Sequence, residues 1–207
     1  MRTLLIVLSA LVLGGCAYGR TASYSDASLQ IAGPQVSSVA LAVAVQDRRP
    51  YVLSGSKPEK FVGLHRGGFG NPFDVNTSSG GPLSLELRDS VAKALKAKGF
   101  QVTPVVVEMR DSSEAARRKL SEARSRRAAL ITLTEWKSDS MINSEIQYDL
   151  VLTVLDERGN VLATNASKGT DNIGSQGLSP EEGIQKAFAR KLEGLFDDPR
   201  VIAALRS

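Results

Sequence analysis

The single cysteine constrains this chain more than any other feature. Cys16 is the only cysteine in 207 residues, and it closes the opening segment MRTLLIVLSALVLGGC. No internal disulfide can form, so the fold has to be held by its apolar core alone. The segment before the cysteine begins with one charge, Arg2, continues with an uncharged Leu-rich run over residues 4–13, and ends in Gly14 and Gly15. A charged start, an apolar centre and a small-residue end are the three parts of a cleavable secretory signal. The run is too short to span a hydrocarbon core of about 30 Å, which takes about 20 residues. Residues 1–15 are therefore predicted to be a signal peptide, and the remainder of the chain to work outside the inner membrane.

Leu13-Gly14-Gly15-Cys16 resembles the bacterial lipobox. The resemblance implies that the Cys16 thiol receives a diacylglyceryl group, that the chain is cut before it, and that the new N-terminus is acylated in turn. No cofactor beyond this covalent lipid is expected. Each buried methylene contributes about 0.8 kcal/mol, and two chains suffice for stable anchoring. Residue 17 is Ala, not the Asp that resembles an inner-membrane retention signal in enteric bacteria. That favours the outer membrane, with the domain facing the periplasm. Residues 16–35 are rich in Ser, Ala and Gly and read as a flexible tether. Residues 36–207, a length that suits one domain, come after it.

Charge and aromatic content exclude one class of partner. Lys and Arg number 26 against 22 Asp and Glu, and loss of Arg2 with the signal leaves 25 against 22, or +3. So mild a balance does not point to nucleic acid. Aromatics make up only 5% of the chain, too few for a base-stacking surface.

Periodicity supplies the elements. Residues 39–45, VALAVAV, form an uncharged run that reads as a buried strand ending in Gln46-Asp47-Arg48-Arg49-Pro50. Leu83, Leu87, Val91, Ala94 and Leu95 make one helical stripe, with Pro82 at its start and Gly99 at its left-handed end. A second helix is capped by Asp111 or Ser112. Strands are expected at 102–107, 128–136, 146–155 and 161–168, the last two joined at Asp156-Glu157-Arg158-Gly159-Asn160. Ser179-Pro180-Glu181-Glu182 starts a further helix, and a short one begins at Asp198-Pro199. The order β-α-β-α-β-β-β-α-α predicts an α+β fold: a mixed sheet of about five strands with helices packed mainly on one face. Residues 50–81, rich in glycine and proline, fit no period and read as a long loop, either functional or disordered.

Candidates for chemistry are few. His65 is the only histidine, too little for a zinc site and the sole choice for a His-based triad. Gly67-Gly68-Phe69-Gly70 lacks the Gly-Lys-Ser/Thr ending of a phosphate loop. Asp47, Asp74, Asp111, Asp139, Asp149 and Asp171 are scattered and read as caps and solvated groups. No catalytic or metal site is predicted, and the function expected is non-enzymatic. Two surfaces stand out as contact candidates. In the glycine-rich loop, Phe61, Leu64, Arg66, Phe69 and Phe73 either fold over the core or wait for a partner. In the second helix, Arg117, Arg124 and Arg127 could share one face that meets anionic lipid or an acidic envelope protein; equally they could be a solvated surface with pairs such as Arg118 and Glu122. Binding of a lipid or small molecule in a cavity under the loop is the alternative function.

The lipobox, the Val-rich first strand closing in Gln46-Asp47-Arg48-Arg49-Pro50, the helix ending Lys96-Ala97-Lys98-Gly99-Phe100, and the paired strands around 148–155 and 161–169 together resemble the YajG-type family of uncharacterised bacterial lipoproteins. The resemblance implies an envelope lipoprotein with an α+β domain that binds a partner or supports an envelope assembly. It carries no catalytic residues.

Overall fold

A 14-residue strand organises the molecule, and everything else is placed by what pairs with its two edges. The computed structural model describes residues 20–25, 28–36, 38–175 and 180–206. The signal segment and Cys16 lie outside them. In chain order the elements are β1 (Thr21–Ala22), β2 (Ala40–Asp47), α1 (Pro50–Leu53), β3 (Phe61–Arg66), β4 (Pro72–Thr77), α2 (Leu83–Ala97), β5 (Gln101–Pro104), α3 (Ser113–Glu122), β6 (Arg127–Ser140), β7 (Ser144–Asp156), β8 (Val161–Gly174), α4 (Pro180–Leu195) and α5 (Pro199–Arg206). β6 is antiparallel to β7 along its whole length, and β7 to β8. On its other edge β6 is shared. Its first half pairs in parallel with β2, which carries β5 beyond it. Its last three residues pair in parallel with β3, which carries β4 and then β1.

The α+β mixed sheet is as expected, with eight strands among the described residues where about five were predicted. α2, α4 and α5 pack into the main core on one face, and α3 alone covers part of the other. β2 shows why a continuous apolar run reads as a buried parallel strand. Leu41, Val43 and Val45 enter the main core, while Ala42 and Ala44 meet Ala116 and Leu120 of α3. β6 changes phase in mid-strand. A register shift between Leu133 and Glu135 moves the buried set from Ala129, Ile131 and Leu133 to Trp136, Ser138 and Ser140. One extra residue in one strand does this, because side chains alternate with period two. Beyond the shift Trp136 stacks on Phe188 of α4 at 4.1 Å between centroids.

Helix ends obey the sequence signals. α2 closes with Phe100 N–H donating to the Leu95 carbonyl and Gly99 N–H to that of Lys96, the paired bonds of a Schellman end. Gly99 has φ +92°, and a Cβ there would collide with the Val36 carbonyl oxygen. Ser112 caps α3 by accepting from Ala115 N–H at 3.1 Å.

Two expectations are corrected. Residues 50–81 are not a long loop: they contain α1 and the β3–β4 hairpin. Their apolar residues are divided, with Phe61, Val62 and Val75 buried. Pattern reading missed the pair because each strand is only six residues long and β3 is interrupted by Gly63. That glycine is required by close packing, since a Cβ on it would meet the Ser138 side chain and lie 2.7 Å from its carbonyl oxygen. Nor are the described residues between 20 and 35 a free tether. β1 pairs with β4, and Tyr24, Leu29 and Ile31 belong to the main core. Tyr24 N–H donates to Glu86 Oε2 at 2.8 Å, and Ser90 Oγ donates to the Tyr24 carbonyl.

Candidate functional site

The point where β2 leaves the edge of β6 and β3 takes it over is a hole in the hydrogen-bond ladder. Asp47-Arg48-Arg49-Pro50 fills it. The Arg49 side chain is fully buried and donates to the carbonyls of Phe61 and Trp136, at 2.6 and 3.2 Å, and of Glu59 at 3.2 Å. Its remaining donors grip the Asp47 carboxylate, with Nη2 at 2.6 Å from Oδ2. Tyr51 adds a bond from its hydroxyl to the Trp136 carbonyl at 3.1 Å. The motif is a structural clasp: buried polar groups have to be satisfied, and a planar five-donor side chain satisfies three carbonyls and a carboxylate together.

The other predicted carboxylates are likewise engaged. Asp74 pairs with Lys57, Asp111 with Lys119, Asp139 with Arg66, Asp149 with Lys168 and Asp171 with Lys191. The bond from Lys119 holds the Asp111 carboxyl below its ordinary value, and the one from Lys191 does the same for Asp171. No two of these six aspartates form an acid–base pair in the described bonds. Burial lowers the His65 imidazole from its ordinary value, with Arg20 adding to the effect and Glu181 opposing it. Its Nδ1 is buried with no hydrogen-bond partner among the described residues. No cluster of three or more His, Cys, Asp or Glu suited to a metal occurs among the described residues.

Two surfaces remain, at opposite ends of β6, separated by about 43 Å at about 3.3 Å per residue. At the C-terminal end of β6 the β3–β4 and β6–β7 turns lie side by side, because His65 is opposite Ser140. The first turn is closed by Gly67 N–H to the Asn71 carbonyl and Gly70 N–H to that of Gly67. It lifts Phe69 to 99% exposure. Phe73 is 41% exposed, and the second turn presents Met141 at 49% and Ile142 at 78%. Arg66 links the turns by a two-point bond to Asp139 at 2.8 and 2.6 Å. Of the predicted contact residues, Phe69 and Phe73 are thus on the surface, Leu64 is half-buried and Arg66 is paired. Phe61 is core, under Tyr51 and Lys57, and is withdrawn as a contact residue. Met141 and Ile142 were missed, and two apolar residues between strands, flanked by Ser and Asn, were the signal.

At the N-terminal end of β6, Arg124, Arg126 and Arg127 converge with Arg158 of the β7–β8 turn around an open depression that also takes in Ser121, Ser125 and Asn160. Arg124 adopts φ +51° just after α3, which turns the chain into β6. The predicted shared face of Arg117, Arg124 and Arg127 does not form. Arg117 is on α3, which ends at Glu122, and lines a separate groove with Arg48 and Thr132, while Arg124 and Arg127 lie beyond the helix. Arg127 Nε donates to the Ala204 carbonyl at 2.9 Å and so fastens α5. Arg158 was not predicted, because the hairpin that brings it in spans the full length of two strands.

A mixed sheet built on one long shared strand, with three helices on one face and one on the other, defines the class of α+β fold. No protein-family model matches the chain, and no curated protein matches its sequence. Among solved structures the chain is similar to XCC0632 of Xanthomonas campestris, of the family DUF330. The TM-score is 0.51 and the identity 15%, over 86% of this chain and 90% of that one. A PelC dodecamer subunit from Paraburkholderia phytofirmans gives a TM-score of 0.43 at 14% identity, over 86% and 95% of the two chains. The lipoprotein GNA1162 from Neisseria meningitidis gives 0.33 at 14%, over 76% and 99%. The first likeness shows a shared fold and no more; the other two are looser still.

Proposed function

We propose that this chain is a non-enzymatic lipoprotein of the bacterial cell envelope, held in the outer membrane by diacylglyceryl and N-acyl groups on Cys16, with its domain binding an acidic partner in the periplasm. The observation that carries this reading is the position of the sole cysteine, at the end of a signal-like apolar run and four residues before Arg20. The resemblance to YajG-type lipoproteins supports the same assignment. No helix among the described residues is long and apolar enough to cross a membrane.

The partner surface is the arginine-lined end around Arg124, Arg126 and Arg158. Its cations outnumber the nearby Asp156 and Glu157, and Asp156 is occupied by the N–H groups of its own turn. An excess of positive charge over an open depression steers and orients an acidic surface. The alternative, a small-molecule module, has less support. The apolar pocket between Ile31, Leu95, Phe196 and Leu205 holds about 20 Å³. That is room for about one water, against the roughly 300 Å³ or more of a ligand site.

Density-gradient fractionation of cells tests the anchor: wild type is expected with outer membranes, and Cys16→Ser is expected to be lost from them. Cross-linking in the same cells tests the surface. Arg124→Glu with Arg158→Glu should abolish a cross-linked product that wild type forms, while leaving fractionation unchanged. A product of equal yield from the double variant would refute the basic end as the contact.

A further inference from the structure

We infer that the apolar turns carrying Phe69, Met141 and Ile142 seat into the surface of the same bilayer that holds the Cys16 lipid, so that the domain stands on that end. This orientation rests on the lipid-anchored reading of the chain and goes beyond it.

Three observations lead there. The first is where the chain leaves the sheet. β1 runs parallel to β4, with Thr21 opposite Asn76, and Asn76 N–H donates to the Arg20 carbonyl at 3.2 Å. β4 starts at Pro72, at the turn that bears Phe69. The chain traced backwards from Thr21 is thus directed along β4 towards that turn. Arg20 is fixed there by its ion pair with Glu181 at 2.7 Å.

The second is reach. Cys16 is four residues from Arg20, so their Cα atoms are at most about 14 Å apart. Through β4 and β3, the level of Arg20 corresponds to about Ser138 on β6, two residues from its apolar end. The start of β6 is eleven residues further off, about 36 Å. The anchor holds the apolar turns close to the bilayer, and the arginine-lined end meets that bilayer only where the domain lies on its side.

The third is chemistry. Phe69 is 99% exposed and Ile142 78%, on two adjacent turns where no apolar neighbour among the described residues covers them. Two of the carboxylates flanking them are paired, Asp139 with Arg66 and Asp74 with Lys57, while Glu145 accepts from Gln147 Nε2. Pairing of Asp139 and Asp74 lessens repulsion of anionic headgroups beside the apolar side chains. An aromatic ring and a branched aliphatic on short turns suit the boundary between headgroups and acyl chains, about 5–10 Å deep.

Tryptophan fluorescence on vesicles tests this. The full lipidated chain is reconstituted into phosphatidylethanolamine/phosphatidylglycerol vesicles with and without brominated acyl chains. Trp136 is the only natural tryptophan and is fully buried. Phe69→Trp adds a reporter at the turn, and Leu162→Trp adds one at the far end of the sheet, where Leu162 is 44% exposed. Bromination should cut the emission added by Phe69→Trp by about two-fold or more, since its ring would lie about 5–10 Å into the headgroup and acyl boundary. It should leave wild type and Leu162→Trp unchanged. Equal quenching of the two reporters, or none at Phe69→Trp, overturns the inference. Palmitate labelling of the same preparations separates the two failures: an unlabelled chain sinks the anchor, whereas a labelled chain with an unquenched Phe69→Trp sinks the orientation alone.

Discussion

Arg49→Met removes the clasp that joins β2, β3 and β6 while keeping most of the volume of the side chain. The substitution deletes bonds to three carbonyls, two of them buried, and leaves the Asp47 carboxylate, 2% exposed, with only the Arg49 N–H at 3.1 Å. Breaking one partner of a buried pair costs about 3–5 kcal/mol, because the other charge stays buried without compensation. At about 2–4 °C per kcal/mol for a domain of this size, the midpoint should fall by roughly 10 °C. Trp136 reports on the transition, since its own carbonyl accepts from Arg49 and its ring is stacked on Phe188. Thermal unfolding of the full chain in detergent, followed by this fluorescence, measures the loss. Adding Asp47→Leu to Arg49→Met removes the stranded charge, so the double variant should be more stable than Arg49→Met alone. A loss below about 1 kcal/mol for Arg49→Met, the range of an exposed ion pair, would refute the clasp.

Tyr24→Ala should cost about 3 kcal/mol, as deletion of a buried aromatic does, and show in the same unfolding assay that Tyr24 is a core residue. Gly99→Ala places a Cβ against the Val36 carbonyl at φ +92° and should destabilise by more than about 1 kcal/mol in urea unfolding. The Asp198 carboxyl is held down to about 2 by its bonds from the Arg200 side chain and backbone. Its folded value is below its unfolded one, so its contribution is present above about pH 4 and is lost as pH falls through about 2. An NMR titration of that carboxyl should find the midpoint near 2, and a midpoint near 4 would contradict the bond network.

The legible parts of this fold are those where local pattern and tertiary role agree. VALAVAV is buried on both faces and reads so; the stripe from Leu83 to Leu95 and the Gly99 end of α2 were equally plain. The hairpin of β3 and β4 was hidden because Gly63 is there for contact with Ser138, a reason no local pattern records. The last residues of β6, Lys137-Ser138-Asp139-Ser140, fall outside the strand expected at 128–136, because the burial of Ser138 and Ser140 depends on β3 and β7 arriving from elsewhere. The N-terminal segment looked like a tether because small polar residues surround Tyr24, Leu29 and Ile31, which are core residues too widely spaced to show a period. At the candidate surfaces, Phe69 and Arg124 were visible as single residues. Their placement at opposite ends of one strand was not, since it is set by the register of β6 with β2 and β3.

Where this domain works depends on a lipid at Cys16, and the intact mass of the chain extracted from membranes measures that lipid directly. The mass predicted is that of residues 16–207 plus a diacylglyceryl group and an amide-linked acyl chain. A chain that still begins at Met1, or one cut elsewhere with Cys16 unmodified, would contradict the lipid anchor.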